Sequence, residues 1–540
     1  MTLKIQTGRA VRCALMSAAL CTSVSTYALA ASSAKTSTNV NCESLTGLDL
    51  PNAKVTAAQS ITSGKYQPEG ARAMIENLPP FCRVRVVVRP QINVEIWLPL
   101  NGWNGKLLGT TPGGVLGSLS IGNTVKDLKE LTNGVGINGL AHGIQRGYAM
   151  MTTDGGHLSA DDTWWNDLGR FQDLGYRAGH EMAVKGKTVT TAFYTQKPSR
   201  TYFSGCSGAG RVAMMEAQRY PEDFDGIVAG EPGLNWVDLM TAELWATWAT
   251  TEKPEYNLPA AKVPMITKAA IAHCDADDGL KDGIISNPPA CKFDPVVLQC
   301  KGGVDGPDCL TEGQVVGLKR IYAGAMTPDG RRISYGHEIG SEGGWGRMYT
   351  GISDINIEGG NSNRNYIKLS VFNDPKYDLR TFDWKHDYDL MKEKTAWAMD
   401  ATSPDLSGFK ARGGKLISYY GWADGLAPSR PITEYYDSVV AKMGNRAEVE
   451  SFYRLFMVPG MGHCSGGVGP SKFDMVTALE GWSEKGQAPD QVMASRVDKD
   501  GKVDMTRPLC PYPQVAKYTG TGSINEAKNF YCTATSAVKN

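Results

Sequence analysis

The chain has 540 residues, more than one small core needs, and with 41% hydrophobic and 21% charged residues its composition is typical of globular proteins. The 56 Lys and Arg residues balance the 56 Asp and Glu residues. No basic run stands out, so the charge pattern argues against a nucleic-acid or anionic membrane partner and leaves a small molecule as the expected one. It says nothing about the oligomeric state.

The N-terminus has the pattern of an export signal. Three basic residues precede an apolar stretch at 14–20, and small residues stand at 28 and 30 around a bulky one. The apolar stretch is too short to span a membrane. We therefore predict a signal peptide over 1–30 and an exported protein, with periplasm and full secretion both open.

From 31 to 235, patterns of strands and helices alternate. In chain order we predict two strands within 84–98 separated at Pro90, a strand over 148–153, a helix over 176–191, a strand over 200–204 and a helix over 211–219. This alternation predicts an α/β core with a largely parallel sheet.

The stretch 236–402 is rich in Trp, Asp, Gly and Asn and lacks that alternation, which predicts an insertion over the core. Its aromatic residues include Trp236, Trp245, Trp248, Trp345 and Tyr349. The alternation then returns with a strand over 414–420, a helix over 433–443 and a strand over 451–458. The core is thus expected in two parts, 31–235 and 403–540.

Ser207 stands where a strand, a glycine-rich turn and a helix follow one another, in GCSGAG at 205–210. This is the order of a nucleophile elbow, in which small neighbours allow a sharp turn that exposes the serine hydroxyl. Ala209 replaces the second glycine of G-x-S-x-G. By itself the motif leaves open an inert serine in a glycine-rich turn.

Two later turns supply the partners of a serine nucleophile. Asp424 lies in GWADG and His463 in PGMGHC, each directly after a predicted strand. The order Ser, Asp, His is that of α/β-hydrolases, with His463 as the general base and Asp424 as the residue that orients it. His157 is the main competing histidine, but it precedes Ser207 in the chain.

An oxyanion hole needs two backbone N–H donors. The residue after the nucleophile, Gly208, is the expected first donor. Gly114, in a glycine-rich turn at 109–114, is the expected second donor.

Cysteines flank the two catalytic candidates. Cys206 precedes Ser207 and Cys464 follows His463, so the two sulfurs could bond if the serine and the histidine touch. Cys206 as the nucleophile is an alternative that an oxidising compartment disfavours. Once 1–30 is removed, ten of the twelve cysteines remain; an even set in an exported chain predicts disulfides, and the absence of a CxxC pair argues against zinc.

Five motifs together resemble the tannase/feruloyl esterase family, which includes mono(2-hydroxyethyl) terephthalate hydrolases. They are RAGHE at 177–181, GCS at 205–207, RYPEDFDG at 219–226, GWAD at 421–424 and GHC at 462–464. The resemblance implies an α/β-hydrolase core with a large inserted lid domain that carries most of the substrate pocket. It also implies the disulfide pairs Cys42–Cys82, Cys206–Cys464, Cys274–Cys291, Cys300–Cys309 and Cys510–Cys532.

The family has a structural calcium ion in its lid, and the acidic loop CDADDGLKDGI at 274–284 is similar to that site. The resemblance implies ligation by the side chains of Asp275, Asp278 and Asp282 and the carbonyls of Leu280 and Ile284. The spacing is not that of an EF-hand, and a solvated acidic turn without an ion is the alternative.

The function that these features predict is a serine carboxylesterase that hydrolyses aromatic acid esters of the feruloyl or gallate type through an acyl-enzyme. A mono(2-hydroxyethyl) terephthalate-type hydrolase is an alternative within the same chemistry. A non-catalytic, calcium-stabilised binding protein and a peptidase on the same fold are alternatives outside it.

Overall fold

The computed structural model describes residues 39–69, 71, 73–126, 134–356 and 364–534, so the predicted signal peptide lies outside the described residues. The strands of these ranges are β1 (Ala53–Ile61), β2 (Phe81–Val88), β3 (Ile92–Pro99), β4 (Lys106–Gly109), β5 (Ala149–Thr153), β6 (Arg200–Cys206), β7 (Gly226–Gly230), β8 (Lys415–Gly421), β9 (Tyr453–Val458), β10 (Val492–Val497), β11 (Val503–Leu509), β12 (Gln514–Tyr518) and β13 (Phe530–Ala534).

Strands β1 to β9 form one mixed sheet in the order β1-β2-β3-β5-β4-β6-β7-β8-β9. Pairing is antiparallel from β1 through β2 and β3 to β5, and parallel from β5 to β9. The parallel strands β6 to β9 are buried along almost their whole length. Such strands need helices on both faces, so this half of the sheet is the hydrophobic centre of an α/β-hydrolase fold.

The α-helices of four or more residues in the described ranges are α1 (Gly139–Gln145), α2 (Leu168–Gln172), α3 (Ala178–Tyr194), α4 (Gly208–Arg219), α5 (Trp236–Thr251), α6 (Val263–Cys274), α7 (Glu312–Ala323), α8 (Gly346–Tyr349), α9 (His386–Met399), α10 (Ser407–Ala411), α11 (Arg430–Met443), α12 (Arg446–Glu450) and α13 (Met475–Lys485). All of them are too short or too polar to span a bilayer.

The predicted elements of the core are present, with shifted ends. The helix predicted over 211–219 begins three residues earlier, at Gly208, because the turn at Ser207 leads straight into it. The strands predicted on either side of Pro90 are β2 and β3, which pair with each other as neighbours.

Between β7 and β8 the chain forms helices and short turns, and among the described residues of this stretch no strand joins the sheet. Part of it packs around its own apolar cluster, which includes Leu258, Leu318 and Trp345. The start of α5, in contrast, packs with the core through Trp236 and Met240. The domain boundaries at 236 and 402 stay a prediction.

Five disulfides join described residues, and they are the five pairs that the family resemblance implies: Cys42–Cys82, Cys206–Cys464, Cys274–Cys291, Cys300–Cys309 and Cys510–Cys532. The last one joins the C-terminal pair β12–β13 to the end of β11. Zinc ligation by these cysteines is therefore excluded in this structure.

Candidate active site

Four neighbouring parallel strands end at one edge of the sheet, and each is followed by a polar residue of the site. Ser207 follows β6, Glu231 follows β7, and Asp424 and His463 lie in the loops after β8 and β9. The carboxyl edge of a parallel sheet is where α/β folds bind ligands, because the strand-to-helix loops converge there.

The structure brings Ser207, His463 and Asp424 into one hydrogen-bonded chain. His463 Nε2 lies 2.8 Å from Ser207 Oγ, and His463 Nδ1 lies 2.7 Å from Asp424 Oδ2. Both distances are within hydrogen-bond range, and Nε2 faces the serine while Nδ1 faces the carboxylate, as proton transfer from a serine to a histidine requires.

The backbone at Ser207 is strained in the way a nucleophile elbow requires. Its φ is 64°, a left-handed value that serine rarely adopts. Its neighbours must be small: a Cβ at Gly205 would lie 2.6 Å from the Ala209 Cβ, and one at Gly210 would lie 2.2 Å from the Gly230 carbonyl oxygen. Ala209 is tolerated because Gly205, lacking a Cβ, leaves the room that the Ala209 methyl group occupies.

Asp424 is buried and held by its own loop. Its Oδ1 accepts hydrogen bonds from the backbone N–H groups of Leu426 at 2.7 Å and Ala427 at 3.1 Å, which leaves Oδ2 for His463. These bonds fix the orientation of the carboxylate. A carboxylate fixed in this way holds the imidazole in one tautomer.

A second carboxylate also contacts the imidazole. Glu231 Oε2 lies 3.1 Å from His463 Nδ1, and Glu231 also accepts hydrogen bonds from the N–H groups of Gly421, at 2.9 Å, and Cys464. The sequence patterns do not single out Glu231. A sequence feature that could have identified it is the apolar segment Gly226–Gly230 directly before it, which forms β7. This strand lies between β6 and β8, the strands that precede Ser207 and Asp424.

The two carboxylates shift the pKa of His463. Burial by itself would lower the pKa of His463, but Asp424 and Glu231 outweigh burial and raise that pKa well above its ordinary value. Burial, reinforced by the charge of Asp424, raises the pKa of Glu231 to about 7. The site is therefore arranged to stabilise a positive imidazolium.

The disulfide Cys206–Cys464 joins the two loops that carry the serine and the histidine. Its Cα atoms are 6.1 Å apart, and it spans 258 residues of sequence. Because Cys206 is bonded, it is not a free thiol, and the alternative of a cysteine nucleophile is wrong for this structure. The positive φ of 57° at Cys464 shows that the histidine loop also turns sharply here.

A cavity of about 360 Å³ opens onto Ser207 and His463. Its described lining is largely apolar, which suits part of a small organic ligand. The lining residues are Gly114, Ser207, Gly208, Glu231, Gly233, Trp236, Leu239, Met240, Glu243, Met348, Tyr420, Leu426, Ala427 and His463. Gly114 and Gly208 are thus both present beside the serine, and they touch closely enough that a Cβ at 208 would lie 1.9 Å from the Gly114 carbonyl oxygen.

Of the aromatic residues noted in the insertion, Trp236 lines this cavity. Trp245 and Trp248 instead pack with Trp384, and Trp345 is fully buried in the separate cluster of the insertion. The competing histidine, His157, stacks on Trp164 with ring centroids 4.1 Å apart and is not among the lining residues.

In the acidic loop, Asp275, Asp278 and Asp282 supply carboxylate oxygens of the kind that calcium prefers. Some of these carboxylate oxygens already bind groups of the protein itself. Asp275 Oδ1 accepts hydrogen bonds from three backbone N–H groups, and Asp282 Oδ2 lies 2.8 Å from Arg507 Nη2 on β11.

Among the described residues, the sets of three or more His, Cys, Asp or Glu ligand atoms within 4.8 Å of one another are Cys206–Glu231–Cys464, whose two sulfurs are bonded to each other, and Glu231–Asp424–His463. The acidic loop is not one of them. The oxygen atoms of the loop are of the type that binds calcium. That they come together around one ion stays a prediction.

Both the sequence and the fold are similar to those of known proteins. The family model described as "Tannase and feruloyl esterase" matches residues 79–533. An uncharacterized esterase of Xanthomonas campestris is 36% identical, and the match covers 92% of each chain. A mono(2-hydroxyethyl) terephthalate hydrolase of Piscinibacter sakaiensis is 33% identical and covers 86% of each chain.

Among solved structures, the crystal structure of feruloyl esterase B from Aspergillus oryzae superposes with a TM-score of 0.81 at 27% sequence identity. The match covers 91% of this chain and 99% of that one. The likeness therefore includes the insertion between β7 and β8 as well as the sheet.

Proposed function

Because the chain belongs to the tannase and feruloyl esterase family and is a carboxylic ester hydrolase, we propose that it hydrolyses esters of aromatic carboxylic acids through an acyl-enzyme on Ser207. The observation that carries this proposal is the chain of hydrogen bonds from Ser207 through His463 to Asp424 at the mouth of a largely apolar cavity. The apolar lining favours a flat, hydrophobic acyl group.

In the proposed first half-reaction, Ser207 Oγ attacks the ester carbonyl carbon while His463 Nε2 takes the hydroxyl proton. The tetrahedral intermediate then collapses, the bond to the alcohol oxygen breaks, and His463 returns the proton to that oxygen. In the second half-reaction, water attacks the acyl-enzyme with His463 again as the base, which releases the acid and restores Ser207. Asp424 and Glu231 stabilise the imidazolium formed in both steps.

The negative oxygen of the intermediate needs two N–H donors, and we propose those of Gly208 and Gly114. Support comes from their presence with Ser207 in the cavity lining and from their close approach to each other. Gly208 also begins helix α4, whose N-terminal dipole favours a negative charge at this point.

We also propose that the acidic loop binds a structural calcium ion through Asp275, Asp278 and Asp282, with the carbonyls of Leu280 and Ile284. Family membership and the oxygen donors of the loop support this. When bound, the ion would neutralise the clustered carboxylates. It has no part in the ester chemistry, which the residues after β6 to β9 carry.

We infer that the protein is exported, to the periplasm or beyond. Five disulfides among the described residues need an oxidising compartment to form and persist, which supports the signal peptide predicted over 1–30.

The test of the proposed function is a set of initial rates on methyl ferulate, methyl gallate and mono(2-hydroxyethyl) terephthalate. The wild type is expected to hydrolyse at least one of the first two, and Ser207→Ala to lower kcat by about 10⁴-fold or more. An unchanged rate in the folded Ser207→Ala variant would refute the assignment of the nucleophile. Hydrolysis of aliphatic esters alone would refute the substrate class.

A further inference from the structure

Helix α5 turns one face toward the cavity, and that face carries a single carboxyl group. Trp236, Leu239, Met240 and Glu243 all line the cavity. They are spaced i, i+3, i+4 and i+7, the spacing of residues on one side of a helix. Glu243 therefore occupies a position where the pattern of the helix calls for an apolar residue.

Glu243 is buried without a partner. Its side chain is 5% exposed, and its carboxyl group makes no hydrogen bond or ion pair with any other residue that the structure describes. Asp238 on the same helix shows the usual arrangement, since it pairs with Lys392 at 3.0 Å and accepts a hydrogen bond from the Tyr388 hydroxyl at 2.7 Å.

An unpartnered buried carboxyl group costs stability, and because Glu243 lines the cavity a bound ligand can supply the missing hydrogen bond. The group is located beside the catalytic residues, close enough for the charges of His463 and Asp424 to act on it. The residue lines the same cavity as Ser207 and His463, in which the proposed ester must lie. This makes Glu243 a candidate for substrate recognition.

The charge state of Glu243 indicates which substrate group it suits. Burial raises its pKa to about 8, with His463 opposing the rise and Asp424 adding to it. At neutral pH the group is then mostly a carboxylic acid, which both donates and accepts a hydrogen bond. The acidic and basic side chains of the described lining are Glu231, Glu243, His463 and Tyr420. His463 is already paired with Asp424 and Glu231, so a substrate carboxylate would find no unpaired cation among them.

We propose that Glu243 determines specificity by hydrogen bonding to an uncharged hydroxyl group of the substrate. The cavity then takes neutral, hydroxyl-bearing aromatic esters in preference to esters with a free carboxylate. This inference rests on the proposed function and narrows its substrate class toward phenolic esters and away from terephthalate monoesters.

The first test compares methyl 4-hydroxycinnamate with methyl cinnamate, which differ by one hydroxyl group. The wild type is expected to prefer the hydroxylated ester by about 10-fold or more in kcat/KM, because a site built to bind a hydroxyl rejects its absence. Glu243→Leu and Glu243→Ala should each bring the ratio to within about 2-fold of unity, whereas Glu243→Gln, which keeps a donor and an acceptor, should retain most of the preference.

The control variant is Glu255→Gln, which changes an exposed acid just beyond the end of α5 and should leave the ratio as it is. Thermal unfolding of each variant identifies any that do not fold. A wild type that treats both esters alike, or a folded Glu243→Leu or Glu243→Ala variant that keeps the wild-type ratio, would overturn the proposal.

The second test uses the wild type alone and compares dimethyl terephthalate with monomethyl terephthalate at pH 7. The neutral diester is expected to have the higher kcat/KM by about 10-fold or more, because a buried carboxylate without a cationic partner is costly. Equal rates would overturn the charge selection. Failure of the wild type on all four esters would instead refute the proposed function.

Discussion

At the residue scale, Glu231 is a second carboxylate in contact with the imidazole of His463, and it should affect the pH dependence of activity. His463 acts as a base only when its Nε2 is unprotonated, so activity falls as the pH drops through the pKa of His463. Removing a negative charge lowers that pKa. Glu231→Gln is therefore expected to move the acidic limb of the kcat/KM profile to lower pH, by up to about one unit.

Asp424→Asn provides the comparison for Glu231→Gln. It disrupts the bond that orients His463, and it should lower kcat by about 10⁴-fold. A purely structural role for Glu231 would lower the thermal stability of Glu231→Gln and leave the pH profile in place, and that result would contradict the electrostatic role.

A second prediction at this scale concerns the two residues after the serine. Gly208→Ala should lower kcat by about 10²-fold, because the new Cβ would push Gly114 away and separate the two proposed oxyanion donors. Ala209→Gly, the matched neighbour, should change kcat by less than about 2-fold and only weaken the helix, by about 1 kcal/mol. Steady-state kinetics and denaturant unfolding measure both; equal kcat losses would contradict this explanation.

At the element scale, the Cys206–Cys464 disulfide joins the loops after β6 and β9. Replacing both cysteines by serine is expected to lower the free energy of unfolding by about 2–4 kcal/mol. It should also lower kcat by about 10-fold or more, because the serine and the histidine lose their shared anchor.

The control is the double variant Cys300→Ser and Cys309→Ser. It removes a disulfide of the insertion whose two cysteines are 9 residues apart in sequence. This variant should lose stability and keep kcat. If the Cys206–Cys464 variant also keeps its kcat when folded, the disulfide stabilises the fold without positioning the catalytic groups.

The three site residues could be predicted from the sequence because of the strands that precede them. Ser207, Asp424 and His463 each follow a strand with a clear apolar pattern, and parallel strands bring their following loops to one edge. The sequence patterns do not predict β1 (Ala53–Ile61). It is an edge strand with few buried residues, so it lacks a clear apolar pattern. The role of Glu243 depends on which face of α5 meets the cavity, and this is decided by packing between elements distant in sequence.

At the scale of the whole molecule, the acidic loop connects the insertion to the C-terminal strands. Arg507 on β11 pairs with Asp282, and both side chains are almost fully buried. Part of the negative charge of the loop is thus already neutralised by the protein. If calcium binds, the stability that it adds is expected to come mainly from the ligands other than Asp282 and from the closing of the loop around the ion.

If the loop binds calcium, removing the ion with EDTA should lower the thermal unfolding temperature. The loss of stability should be about 2.7 kcal/mol relative to protein at a free calcium concentration one hundred times Kd. Asp278→Asn should be much less sensitive to EDTA. Identical unfolding curves with and without EDTA would show that Arg507 and the backbone N–H groups stabilise the loop without a calcium ion.

The central claim is that Ser207 is activated by His463 to attack an ester carbonyl, and covalent labelling tests it most directly. Wild-type protein treated with a fluorophosphonate and analysed by peptide mass spectrometry should carry one adduct, on Ser207, in step with the loss of esterase activity. Ser207→Ala should carry none, and His463→Ala should react about 10³-fold more slowly or not at all. Inhibited protein with its adduct on another residue, or active protein with no adduct, would contradict the account.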